Sequence, residues 1–239
     1  TNNQVIRLLQ PVFPAILDNG VVNAADYKAQ ISPGALASVF GTNFASGSIS
    51  TTPLPTSVNG VSVVVNGVAA PLLYLSPGQI NFQVPWETTG AAAAVTVRIN
   101  GGDSNPISTP LRTAAPGLFT VPSGAGVVQN SDYTLNGPDH PAKPGGTIIA
   151  YLTGSGPVAP QVGDGVPTPN AGFVRIQSDV SAQIGTASAK VDFAGLAPNF
   201  VGLVQMNIVV PDGLAAGDYP LSVSVNGEMS NAGTISVRP

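Results

Sequence analysis

The chain has 239 residues, 43% of them hydrophobic. Only 8% are charged, against roughly 25% in an average soluble domain. Eight Lys and Arg against twelve Asp and Glu leave a net charge of −4 with no basic cluster, which excludes the concentrated cationic face that nucleic acid or an anionic membrane surface demands.

Gly (28) and Pro (23) together exceed a fifth of the chain, the punctuation of many short strands. Residues 1–10 read as an N-terminal extension. No apolar run approaches the ~18 residues that span a bilayer. The expectation is that any signal peptide lies upstream of Thr1 or has been removed, so that the chain is secreted or at the cell surface.

In chain order, the sequence reads as a duplication. GVVNAADY (Gly20 to Tyr27) returns as GVVQNSDY (Gly126 to Tyr133), and each precedes a Pro-Gly pair, Pro33-Gly34 and Pro144-Gly145. ALASVFG ending at Gly41 matches TIIAYLTG ending at Gly154. QINFQVP (Gln79 to Pro85) matches QMNIVVP (Gln205 to Pro211) at an offset of 205 − 79 = 126, and that offset continues through VTVRING to LSVSVNG.

Inside each copy, Val61–Val65, Ile80–Val84, Val95–Ile99, Met206–Val210 and Leu221–Val225 alternate with period two, as strands with one buried face must. Ala91 to Ala94 reads as the beginning of a strand. Asn66-Gly67, Asn100-Gly101 and Asn226-Gly227 are hairpin dipeptides, because Asn and Gly tolerate positive φ. The predicted fold is all-β: two tandem immunoglobulin-like β-sandwich units related by internal duplication, at residues 11–112 and 113–239, packed together through a Pro-rich junction near Pro106 to Pro116. The expected cores are Ile80, Phe82, Val84, Val95, Val97 and Ile99, and Met206, Ile208, Val210, Leu221, Val223 and Val225.

Gly20 to Ala25, SPGALASVFGTNFA (Ser32 to Ala45), GQINFQVPWE (Gly78 to Glu87), AAPGLF (Ala114 to Phe119) and HPAKPGG (His140 to Gly146) together resemble the Solibacter-type C-terminal domain family of exported acidobacterial proteins. That resemblance covers the chain from Pro11 to Val237 and implies an exported protein, but no activity. Gly41-Thr-Asn-Phe44 also resembles the opening of the immunoglobulin-like fold of plexins and some transcription factors, the TIG/IPT group; the second unit has Gly154-Ser-Gly156 and no Phe there.

Candidate chemistry is sparse. With no cysteine and one histidine, disulfides, thiol catalysis and a zinc site are excluded, and no cofactor is expected. His140 lies in an Asp-His-Pro loop with no Gly-x-Ser-x-Gly to serve, and the twelve acids stand mostly as turn formers without a distinguished pair. Asp132, Asn136 and Asp139 supply oxygens for a cation without the spacing of an EF-hand; the alternative is an Asx-turn loop.

The repeated Gln-x-Asn puts Gln79, Asn81, Gln83, Gln205 and Asn207 on the face opposite the core. Those amides can bond a glycan or a neighbouring strand, or, as expected here, tie down loop backbone. Trp86, the one tryptophan, can stack on a sugar, pack against the other unit or cover its own sandwich end; with Tyr74 and Glu87 it forms the candidate ligand patch. The expected function is a non-catalytic adhesion, spacer or display module at the end of a larger exported protein, its partner an unidentified surface protein or glycan. The alternative is a carbohydrate-binding module centred on Trp86.

Overall fold

The computed structural model describes residues 13–238, so the predicted extension at residues 1–10 lies outside the described residues. Among the described residues every regular element is a strand. The first unit contains β1 (Ala15–Asn23), β2 (Leu36–Thr42), β3 (Val61–Val65), β4 (Val68–Ala70), β5 (Leu72–Ser76), β6 (Gln79–Gln83), β7 (Ala92–Ile99), β8 (Gly102–Asp103) and β9 (Ile107–Pro110). One antiparallel sheet has the order β1-β2-β6-β5; the facing sheet has β4-β3-β7-β8, with β9 also on β7.

The second unit repeats this plan with β10 (Gly117–Leu118), β11 (Val128–Asn130), β12 (Thr147–Thr153), β13 (Val158–Ala159), β14 (Arg175–Ile176), β15 (Val180–Ile184), β16 (Ala187–Leu196), β17 (Val204–Val209), β18 (Gly217–Val225), β19 (Glu228–Met229) and β20 (Gly233–Val237). Here β12-β17-β16 form the centre of one sheet, while β15, β18 and β20 build the other. The long β16 serves both: Ala187 to Ala189 pair with β15, and Lys190 to Leu196 with β17. In the first unit the same path is cut at Pro71, between β4 and β5, because proline brings no N–H to continue the ladder.

Alternation places the core as read from the sequence. Ile80, Phe82, Val84, Val95 and Val97 are sealed in one hydrophobic cluster running from Ile16 to Leu111, with Ile99 partly buried at its edge. Met206, Ile208, Val210, Leu221, Val223 and Val225 are sealed in a second cluster running from Ala114 to Val237. Each cluster draws on both of its sheets, which is what makes the pair a sandwich. The three predicted Asn-Gly hairpins close with positive φ at both residues, for example 49° and 85° at Asn66 and Gly67.

The duplication extends to individual hydrogen bonds. Gly34 N–H donates to Val84 O and Val84 N–H to Ala35 O; Gly145 N–H donates to Val210 O and Val210 N–H to Gly146 O. Phe82 and Ile208 hold equivalent positions, paired with Leu72 and Val191 just before the same bulge.

The two units meet at the ends of β1, β2 and β6 and along the residues that follow β9, so the predicted junction near Pro106 to Pro116 takes part through Ala114 and Ala115. Leu36 N–H donates to Thr153 Oγ1 at 2.8 Å, Asn23 Nδ2 to Ala115 O at 2.8 Å, and Gly165 N–H to Gln83 Oε1 at 2.7 Å. Gln83, expected on the outer face, is therefore buried: the second unit covers that face at the end of β6.

Candidate functional site

The predicted patch is divided by the structure. Trp86 lies just beyond β6 with its ring over Gly34, and it packs against the core of the second unit. Its backbone N–H donates to Asp164 Oδ1 at 2.9 Å, and its indole Nε1 is sealed from solvent with no acceptor among the described residues. Glu87 is exposed and lines a hollow of about 350 Å³ beside Trp86, Arg112 and Gln161. Tyr74 does not line that hollow; it is 49% exposed on β5, paired across the ladder with Asn81.

The three residues of the predicted cation loop have separate tasks. Asp132 Oδ1 accepts the Thr134 hydroxyl at 2.6 Å and the Thr134 amide at 3.0 Å, an Asx turn. Those two bonds, the hydroxyl first, hold the carboxyl below the usual aspartate range. Asp26 makes the matching turn in the first unit, accepting Lys28 N–H. Asn136 is buried and does not bond Asp132, exchanging two hydrogen bonds with the Ser236 backbone at 2.8 and 3.0 Å and donating to Asn130 Oδ1 at 3.1 Å. Asp139 and His140 stand exposed. Among the described residues no three His, Cys, Asp or Glu side chains gather as metal ligands would.

Of the amides expected to tie down loop backbone, Gln83 does so, accepting Gly165 N–H at 2.7 Å and donating to Gly34 O at 3.4 Å, while the Gln-x-Asn pairs do not. Gln79 Nε2 donates to Asn81 Oδ1 at 2.8 Å, and Gln205 Nε2 to Asn207 Oδ1 at the same 2.8 Å, so the amides bond one another and not loop backbone. Gln205 Oε1 and Asn207 Nδ2 have no side-chain or backbone partner among the described residues and point to the outer face of β17.

Beside them a bulge brings an aromatic side chain. On β16 the register slips between Val191, opposite Ile208, and Phe193, opposite Asn207. One extra residue turns Phe193 from the core face to the amide face. The same slip between Leu72 and Tyr74 places Tyr74 beside Asn81. Gly195 allows this arrangement, since a Cβ there would strike the Val174 carbonyl and crowd the Phe193 ring.

Only the second unit completes the constellation. The segment between β12 and β15 carries Phe173 and Arg175, and β14 pairs with β16 at Arg175 and Gly195. The Phe173 and Phe193 rings lie 5.4 Å apart at 56°, and the Arg175 guanidinium sits 5.4 and 4.9 Å from their centroids. Phe173 is 69% exposed. With Asp192, Gln205 and Asn207 these groups line a cleft of about 280 Å³. Asp192 is paired to Lys190 at 2.8 Å, a contact that raises the lysine pKa through its hydrogen bond first and its charge second. Another hollow, lined by Phe119, Leu135, Tyr151 and Phe200, is more apolar; Tyr151 OH there already donates to Gln129 at 2.7 Å, and burial raises the phenol pKa.

Two features escaped the sequence reading. Phe173 and Arg175 lie in a segment between β12 and β15 whose sequence matches nothing in residues 43–60 of the first unit, so the duplication gave no pointer to them. The second is a clamp: Asn231 Nδ2 donates to Leu118 O and its Oδ1 accepts Leu118 N–H, while Asn105 does the same to Ile16. Its signal was present, because Asn-Gly-x-x-Ser-Asn at Asn100 to Asn105 returns at Asn226 to Asn231, the clamp asparagine standing four residues past the last matched glycine.

No family model and no curated protein sequence matches the chain. Among solved structures it is similar to a surface glycan-binding protein from a Bacteroides ovatus mixed-linkage glucan utilization locus, solved with a heptasaccharide: 12% identity, TM-score 0.37, covering 87% of this chain and 42% of that one. The extracellular region of plexin A4 gives 12% identity and a TM-score of 0.33 over 93% of this chain and 18% of that one. The I9–I11 tandem of titin gives 11% identity and a TM-score of 0.25 over 94% of this chain and 65% of that one. The chain thus spans less than two thirds of the length of each. The saccharide belongs to the Bacteroides protein; the fold of this chain rests on its own strand order. No helix among the described residues is long and apolar enough to cross a membrane.

Proposed function

We propose that this chain is a non-catalytic extracellular binding module of a larger exported protein, and that it binds carbohydrate through the cleft on the outer face of its second unit. The observation that carries this is the pair Gln205–Asn207, its unpaired donor and acceptor facing solvent beside the Phe173 and Phe193 rings. A pyranose ring has an apolar C–H face and a rim of hydroxyls. The first is desolvated on an aromatic surface, and the second needs planar amides placed to give and take hydrogen bonds together. The Trp86-centred version of this reading is the weaker one, since that ring is committed to the junction between the units.

The junction supports the spacer element of the proposal. Hydrogen bonds at Gln83, Thr153 and Asp164 hold the sandwiches in one relation, so the cleft is presented from a stiff support. Affinity gel electrophoresis and calorimetry against a panel of soluble plant and bacterial polysaccharides test the proposal. Retention is expected for at least one polysaccharide, with a loss of about tenfold or more in Phe173→Ala and in Asn207→Ala. Trp86→Phe is expected to keep it. Retention that survives both cleft substitutions, or no retention by any polysaccharide, overturns the assignment.

A further inference from the structure

Resting on that carbohydrate reading, we infer that the cleft selects an acidic saccharide, one whose sugar ring carries a carboxylate, and that Arg175 is the residue that reads it. Among the described residues Lys28, Arg98, Lys190 and Arg238 all have carboxylate partners within 4.0 Å. Arg112, Lys143 and Arg175 have none there; for Arg175 this holds although Asp192 lines the same cleft, because that carboxylate is taken by Lys190. No acceptor among the described residues receives an Arg175 N–H either.

The guanidinium is nonetheless held in place. Its Cζ lies 4.9 Å from the centre of the Phe193 ring and 5.4 Å from that of Phe173, so the ring faces orient the cation without using its N–H donors. A planar fork of donors, fixed by stacking and left open toward a cleft, fits a carboxylate in bidentate fashion. The charged groups that line the cleft are Arg175 and Asp192, and the charge of Asp192 is offset by its ion pair with Lys190 outside the lining, which leaves Arg175 as the cation free to meet a carboxylate there. The ligand is then a uronate: the carboxylate on Arg175, ring hydroxyls on Gln205 Oε1 and Asn207 Nδ2, and the C–H face against Phe173.

The test is isothermal titration of the full chain with an oligogalacturonate and with its methyl ester, which keeps the ring and removes the charge, for wild type, Arg175→Gln and Phe173→Ala. The expected result is binding of the acid at least about tenfold tighter than the ester. Arg175→Gln should erase that preference, and wild-type affinity for the acid should fall between about 0.05 M and about 0.5 M salt while the variant's does not. Arg175 is exposed, so its variant should fold, and circular dichroism checks this. Equal binding of acid and ester, unchanged in Arg175→Gln but lost in Phe173→Ala, overturns the acidic selectivity and leaves the carbohydrate reading standing. Binding of neither compound overturns the uronate assignment, and the wider polysaccharide panel then decides the carbohydrate reading by itself.

Discussion

Gly34 and Gly145 occupy the same place in the two units, both in the left-handed region with φ of 73° and 74°. What stands over them differs: a Cβ on Gly34 would penetrate the Trp86 ring, whereas one on Gly145 would meet only Asp212 Oδ1, at 2.7 Å. A left-handed L-residue costs roughly 1–2 kcal/mol in either unit, and a short exposed carboxylate can swing aside where a packed indole cannot. Gly34→Ala is therefore expected to destabilise the protein more than Gly145→Ala in urea titrations. Only Gly34→Ala should shift tryptophan emission to the red, and since Trp86 is the one tryptophan, the signal has a single source. An unshifted emission in Gly34→Ala would contradict the packing described. The repeat alignment already set Trp86 opposite Asp212; that its ring would rest on a glycine of the turn before β2 needed the tertiary structure.

Elements rather than residues explain the asparagine clamps. After β8 and after β19 the chain crosses to another strand, and Asn105 and Asn231 each use one carboxamide to satisfy both backbone groups of a residue far away, Ile16 and Leu118. In both units a serine one residue earlier accepts a strand amide, Ser104 from Val97 and Ser230 from Val223. Removing the carboxamide leaves a donor and an acceptor unpaired in partly buried surroundings, at about 1–3 kcal/mol. Asn105→Ala and Asn231→Ala are each expected to lower stability by about 2 kcal/mol in chemical denaturation, with binding at the cleft retained. A neutral result at both positions would remove the clamp as a shared stabilising device. Strand periodicity was legible in the five segments where every second residue is apolar, among them Val61–Val65 and Leu221–Val225. The bulges at Leu72/Tyr74 and Val191/Phe193 were not, because one inserted residue breaks the period without changing the composition.

For the whole molecule, the two hydrophobic clusters are separate in residue content, yet polar bonds cross between the units at Gln83, Thr153, Asn23 and Asp164. Thr153 also donates onward to Gly202 O at 3.0 Å, so its hydroxyl joins β2 to a loop of the second unit. Wild type is expected to unfold in one calorimetric transition with equal calorimetric and van't Hoff enthalpies. The double variant Gln83→Ala with Thr153→Ala should resolve into two transitions, since each core can persist without the other. Two transitions already in the wild type would mean that the junction does not couple the units.

By itself the sequence determined the alternating strands and their core residues, the duplication and the absence of thiol chemistry, because these follow from local periodicity and composition. The tertiary structure decided where the unpaired polar groups converge. Phe173 and Arg175 reach Gln205 and Asn207 through sheet pairing and a bulge, and Gln83 is buried and Trp86 partly buried at the junction because the second unit covers that strand end. Those are relations between distant segments, and no local pattern encodes which surface another surface will cover.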